Sequence, residues 1–162
     1  MAILGGIVVV LFLRKSDADR IRDTLHTMAE AVRFSGRQPT PAWLRGLRTS
    51  FVEYVADPVT ISIAPFGDLR LSTDKLLESV VDATVRYDAL GVTLNQIGVK
   101  VAAKGDRATA NGEVLLETLD VAGARRSEPR KFVATFAKHP SGWKLIHLQT
   151  AEPHVDQPEA RP

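Results

Sequence analysis

Apolar residues recur along the chain with two different periods. Residues 1–13 come first, an unbroken run without a charged side chain that stops at Arg14-Lys15. Ser16 or Asp17 then caps a helix with Asp19 in its first turn. Ile21, Leu25, Met28, Ala29 and Val32 form a single stripe along it, and Ser35-Gly36 ends it. Thr40 caps a second helix with Pro41 at the favoured first position. Leu44, Leu47, Phe51 and Val55 keep the helical spacing until Asp57-Pro58 breaks it, and Gly46 weakens the element. Residues 59–63 alternate between prolines, as an edge strand does; residues 65–68 turn, and residues 69–71 supply a short partner strand. Ser72 or Thr73 caps a third helix, ended by Gly91. Its inner face holds Leu76, Leu77, Val80, Val81, Thr84 and Tyr87, and its outer face Lys75, Glu78, Asp82 and Arg86.

From residue 92 the period falls to two. The pattern predicts strands over 92–103, 109–121, 130–138 and 143–151. They are joined by a hairpin at Lys104-Gly105-Asp106, a loop over 123–129 carrying Arg125-Arg126, and a turn at Pro140-Ser141-Gly142. Helices followed by a meander of long strands make an α+β protein, with three N-terminal helices packed on the concave face of a curved, mainly antiparallel sheet. Gly98 and Gly112 inside the strands fit a sheet that bends. The chain thus reads as an apolar segment at 1–15, one domain at 16–151 and a proline-bearing, disordered tail at 152–162.

Composition narrows the function classes. Twenty-one Lys and Arg against nineteen Asp and Glu leave a formal charge of +2, too close to zero for a nucleic-acid binder. The absence of Cys excludes disulfide scaffolds, Cys-ligated zinc and thiol nucleophiles. Read as a helix, residues 1–13 reach about 20 Å against a hydrocarbon core of roughly 30 Å. No basic residue precedes the run and no small-x-small site follows it, which fits a cleavable leader poorly. A membrane anchor, intact or truncated, is the first reading of this run; a buried first element and a leader remnant are the others.

The element order helix–helix–strand–helix–four strands resembles the NTF2-like superfamily, the cystatin-like cone that also contains ketosteroid isomerase and SnoaL-type cyclases. The residues that carry the likeness are Gly105-Asp106-Arg107-Ala108-Thr109-Ala110, Phe132-Val133-Ala134-Thr135-Phe136 and the closing Gly142-Trp143-Lys144-Leu145-Ile146-His147. The resemblance covers roughly residues 17–151 and implies fold more than activity, because the superfamily holds enzymes, ligand binders, dimerisation modules and membrane-tethered assembly domains. Its enzymes place Asp, His or Tyr inside the cone. No Asp at an inward strand position here pairs with a Tyr motif on the first helix, which offers His26 just off its apolar stripe.

Three side chains are the candidate ligand-binding groups: Tyr54 and Tyr87 on apolar helical stripes, and His147 in the last strand. His147 is also the one candidate base, since a neutral imidazole exchanges a proton near pH 7. Alternation places it on one face with Trp143, Leu145 and Gln149. Glu113 and Glu117 lie about 13 Å apart along one strand, too far to act as a carboxylate pair, and read as a solvated face. His26, His139, His147 and His154 lack metal-ligand spacing, so neither a metal nor a cofactor is implied. Arg125, Arg126, Arg130 and Lys131 read as a charged loop able to meet an anionic headgroup or an acidic partner.

The first functional reading is a non-enzymatic, membrane-tethered domain acting in self-association or assembly. Its partners are a second copy in a homodimer, an envelope protein and a membrane reached through residues 1–13, at the bacterial inner membrane. Its docking face is an exposed sheet surface with Phe132, Val133, Phe136 and Leu145. The alternative is a protein binding a small apolar ligand, or an isomerase- or dehydratase-like enzyme, using the cone cavity, cytoplasmic or periplasmic.

Overall fold

The structure is a computed structural model that describes residues 15–36 and 39–151. The described residues form three helices, α1 (Asp17–Val32), α2 (Pro41–Tyr54) and α3 (Thr73–Arg86), and seven strands. The strands are β1 (Phe34–Ser35), β2 (Val55–Ile63), β3 (Gly67–Leu71), β4 (Tyr87–Val101), β5 (Arg107–Asp120), β6 (Arg125–His139) and β7 (Gly142–Ala151). All seven belong to one sheet of order β1-β4-β5-β6-β7-β2-β3. Every pairing is antiparallel except β2 with β7. This is the α+β arrangement expected from the periodicity.

All three helix starts follow from local chemistry. The side chains of Ser16, Thr40 and Ser72 accept hydrogen bonds from the backbone N–H groups of Asp19, Trp43 and Lys75, satisfying donors that the first turn leaves free. The helix ends differ from the expected ones because strands compete for the same residues. Val55 opens β2 opposite Leu145, and α3 stops at Arg86, since Tyr87 to Gly91 pair with the far end of β5. The expected loop over 123–129 is largely strand. The Asp120 carboxylate accepts from the backbone N–H groups of Ala122 and Ala124, and Gly123 takes a φ of 88°, so the turn closes within four residues and β6 begins at Arg125.

The bend in the sheet lies where β4 carries an extra residue. The register between β4 and β5 shifts between Asn95 and Gly98, with Gln96 at a φ of 54°. Gly112 sits opposite that bulge. A β-carbon there would come within 2.9 Å of the Asn95 carbonyl oxygen and 3.1 Å of the Phe132 ring, so only glycine lets the three strands close.

The inner face of the sheet is read from paired rows. Ala108 lies beside Phe136, Ala110 beside Ala134, and Gly112 beside Phe132, all against α1 and α2. Ile21, Leu47, Val59 and Phe136 are the largest of the fully buried side chains, each stabilising the fold by roughly 1.5–3 kcal/mol. Phe132, Phe136 and Leu145, expected on an exposed docking face, are 4%, 0% and 6% exposed and point inward; of the four residues named for that face only Val133, at 43%, meets solvent.

At the hairpin end of the sheet, Lys138 joins the Asp17 carboxylate at 3.1 Å and lies 5.4 Å above the centre of the Trp143 ring. The Trp143 indole N–H is buried without a hydrogen-bond partner among the described residues. It faces Asp17 outside hydrogen-bond geometry yet, with Lys138, holds that carboxyl below its ordinary value of 3.8.

Two outcomes test this packing. Gly112→Ala should destabilise the fold by about 1–3 kcal/mol. Gly46→Ala, in a helix where an added β-carbon meets nothing, should stabilise it by roughly 0.5–1 kcal/mol; denaturant titration reads both. Asp17 has a folded-state value below the unfolded one, so its contribution is complete above about pH 4 and is lost as pH falls through the folded value. Asp17→Asn should therefore lower Tm at neutral pH, with the gap from wild type closing in acid; a gap constant with pH contradicts that coupling.

Candidate functional site

The bend divides the concave face in two. On the hairpin side the helices seat closely and the face is buried. Beyond Phe132 the strands β4, β5 and β6 run on past the end of β7, and the helix above them, α3, is only half seated. Leu76, Leu77, Val80, Val81 and Thr84 form its apolar face, yet all are half-buried, and Thr73 is the single residue of the helix that is buried. On the inward row of the sheet beyond the bend, Val92 and Leu94 of β4 and Leu116 of β5 are likewise half-buried, and α3 rests on β2, β3 and β4. Half-buried apolar side chains therefore line both the helix and the inner face of the sheet at this end.

β6 supplies the polar groups there. Its register with β5 runs unbroken, so the inward row that begins with Phe136, Ala134 and Phe132 continues as Arg130, Glu128 and Arg126, opposite Val114, Leu116 and Thr118. The Arg130 side chain is 21% exposed and pairs with Glu128 at 3.3 Å. A guanidinium largely removed from water beside apolar side chains is expensive unless paired, and this pair with an exposed carboxylate is its one ion pair among the described residues. The basic residues expected in a loop are thus sorted by the strand into two faces, with Arg125 and Lys131 on the outer one. Arg126, Glu128 and Arg130 keep the two-residue period of a strand, masked in the sequence by the turn-forming Gly123 and Pro129 around them.

His147 lies on the opposite side of the sheet from this concavity. β7 has a bulge where the register passes from Thr135–His147 to Phe136–Leu145, and the extra residue, Ile146, reverses the alternation. Leu148 therefore pairs inward with Ala134, while His147 turns outward beside Thr135 and Thr60, away from the face of Trp143 and Leu145 where strict alternation put it. There its Nε2 is 2.7 Å from the Ser62 hydroxyl, which donates to Asp68 at 2.5 Å. With its one proton given to Asp68, Ser62 can only accept from His147, so Nε2 carries the proton. The serine stands between acid and imidazole, an order in which the imidazole does not act as base on its hydroxyl.

Tyr87 is half-buried at the junction of α3 and β4, paired across to Asp120. Tyr54 lies at the other end of the molecule, at the last position of α2. It lines a recess of about 290 Å³ between α1, the end of α2 and the β6–β7 hairpin, together with Arg20, Thr24, Glu53 and Trp143. Burial and then the neighbouring Glu53 carboxylate raise the Tyr54 phenol above its ordinary value of 10.0, keeping it protonated at neutral pH. Three strands separate β4 from β2, so Tyr54, Tyr87 and His147 do not converge on one site. Neither Arg130 nor Glu128 was singled out by sequence reasoning as an inward group.

Residues 1–13 lie outside the described residues. Among the described residues no helix is long and apolar enough to cross a membrane, and none of their His, Asp and Glu side chains gather in a group of three able to hold a metal ion.

No protein-family model matches the chain, and no curated protein matches it. Solved structures do. An NTF2-like superfamily protein from Salmonella enterica serovar Typhimurium matches at 13% identity and a TM-score of 0.67, over 89% of this chain and 96% of its own. A hexachlorocyclohexane dehydrochlorinase from Novosphingobium barchaimii matches at 12% identity and 0.64, over 83% of this chain and 84% of its own. A candidate dehydratase of the NTF2-like family from Streptomyces avermitilis matches at 14% identity and 0.64, over 86% of this chain and 97% of its own. Enzyme names among the neighbours, the burial of Phe132, Phe136 and Leu145, and the lack of a membrane-crossing helix among the described residues correct the expected non-enzymatic, membrane-tethered assembly role. The membrane localisation and the membrane-linked partners expected with it fall on the same findings. These likenesses show the fold alone: the chain has the architecture of the NTF2-like cone.

Proposed function

We propose that residues 16–151 form a small-molecule-binding domain whose ligand sits in the concavity beneath α3. The observation that carries this reading is the apolar face of α3, five residues wide and nowhere fully buried, held over an equally half-buried stretch of sheet. Apolar surface left open on both walls of a concavity is costly in water, and a ligand with an apolar body covers both walls at once. Arg130 and Glu128 at the rim then orient its polar end.

A second reading, an isomerase- or dehydratase-like enzyme, is supported by that same pair. A carboxylate beside a guanidinium can take a proton from carbon while the cation steadies the negative charge that develops. The dehydrochlorinase and the candidate dehydratase among the structural neighbours give it further support.

Titration with the dye 1-anilinonaphthalene-8-sulfonate tests the first reading. Saturable binding is expected, and Val80→Trp, which fills the gap under α3, should weaken it at least about tenfold while the circular dichroism is unchanged. Undiminished binding to the folded variant overturns the site. For the second reading, any elimination or isomerisation turnover should drop about 10²- to 10⁴-fold in Glu128→Gln with dye binding preserved; equal turnover removes Glu128 as the base.

A further inference from the structure

The first half of β6 lacks a neighbour on one side. Its pairing with β5 runs from Arg125 to Ala137, but its pairing with β7 covers only Lys131 to His139. Among the described residues, 125–130 therefore border no strand on the β7 side. At the two ends of the β5–β6 ladder, the Lys138 N–H donates to the Asp106 carbonyl and the Asp120 N–H to the Ala124 carbonyl, both at 2.9 Å. Hydrogen bonding alternates along an antiparallel pair, so the even-numbered residues of β6 bond to β5. Arg125, Ser127 and Pro129 turn their backbone groups to the open edge. Pro129 stands where its missing N–H takes nothing from that ladder, and the edge is exposed from Arg125 to Pro129.

The chain that leaves β7 is the nearest candidate to cover this edge. β7 ends at Ala151, opposite Lys131, and residues 152–162 lie outside the described residues. Carried on by five residues, the same register sets Glu152 opposite Arg130, His154 opposite Glu128 and Asp156 opposite Arg126, on the inward face. Slipping it by two residues in either direction puts Glu128 against Glu152 or against Asp156. Charge therefore selects the one register that the strand already has. Pro153 falls opposite Pro129; neither donates, so backbone bonding lapses there and the ion pairs on either side hold the contact. Arg130 meets Glu128 through a single nitrogen at 3.3 Å, and a guanidinium has five N–H donors to share. Each exposed pair is weak alone, but a segment that starts at the edge meets it at the high effective concentration of a short tether.

We infer that residues 152–156 dock along the open edge of β6, with Glu152 on Arg130 and Asp156 on Arg126. The docked segment stands at the rim proposed for the polar end of the ligand and competes with it for Arg130. Only this competition rests on the reading of the cone site; the docking does not.

The chain has no Cys, so a cross-link tests the docking directly. Ser127→Cys and Val155→Cys, introduced together in the full chain, stand opposite each other in this register, about 5.5 Å apart at their α-carbons. Mild oxidation should form their intramolecular disulfide at least about tenfold faster than that of Leu69→Cys with Val155→Cys, since Leu69 lies on the opposite flank of β7. Arg126→Glu should slow the first cross-link about two- to fivefold with the circular dichroism unchanged, as should high salt. Adding Asp156→Arg to Arg126→Glu should restore the rate. Equal rates at residues 69 and 127, indifference to the charge reversal, or disulfides only between chains overturn the docking. Once the cross-link is closed, 1-anilinonaphthalene-8-sulfonate should bind at least about threefold more weakly. Undiminished dye binding to the cross-linked form overturns the competition and not the docking. Absence of dye binding before oxidation overturns the cone site, and the competition with it.

Discussion

The space over residue 112 is already taken. The Phe132 ring and the Asn95 carbonyl oxygen occupy the volume a side chain would need, and the bulge at Gln96 brings that carbonyl into place. This close approach is what bends three long strands toward the helices. On the hairpin side of it the inner row is Ala108, Ala110 and Ala134, small enough for α1 and α2 to come down onto the sheet. On the far side the row continues as Val114, Leu116 and then Arg130 and Glu128, while α3 spans the opening without filling it. One glycine therefore separates a region that is solid core from a region that is concave and wet.

Much of the fold could be read from side-chain order, because the forces involved are local. The caps at Ser16, Thr40 and Ser72 act over three residues, and the stripe from Ile21 to Val32 needs only helical spacing to be recognised. What could not be read depended on pairing between distant segments. Tyr87 to Gly91 look like the end of a helix until β5 and β1 are present to bond them. Arg125 to Pro129 look like a loop until the Asp120 turn delivers them to the end of β5. His147 is the sharpest instance. Its side in the sequence pattern is correct for an unbroken strand, and a single extra residue at Ile146 sends it to the other face.

That reversal changes the chemistry available to the histidine. Inside the cone it would stand among apolar side chains with a free ring nitrogen. On the outer face it is tied through Ser62 to Asp68, joining β7 to the β2–β3 hairpin, with Nε2 committed as a donor. The inward row of β6 carries a different ionisable pair at its rim, Arg130 and Glu128, whose charges largely cancel. An NTF2-like cone can hold many chemistries, and what this one offers is set by these substitutions of position rather than by its backbone.

The two open regions of the molecule differ in the kind of surface they leave unsatisfied. Under α3 the deficit is apolar, spread over two walls, and indifferent to the exact shape of what covers it. In the hairpin recess the lining is polar and already served: Glu53 engages the Tyr54 hydroxyl, Lys138 the Asp17 carboxylate, and Arg20 stands in water. Hydrophobic contact tolerates ligands of many outlines, whereas charges that are solvated or already partnered gain little from a new one. Covering the open surface therefore stabilises more in the cone, where the exposed face is apolar, than in the recess, where water and neighbouring side chains already satisfy the charges.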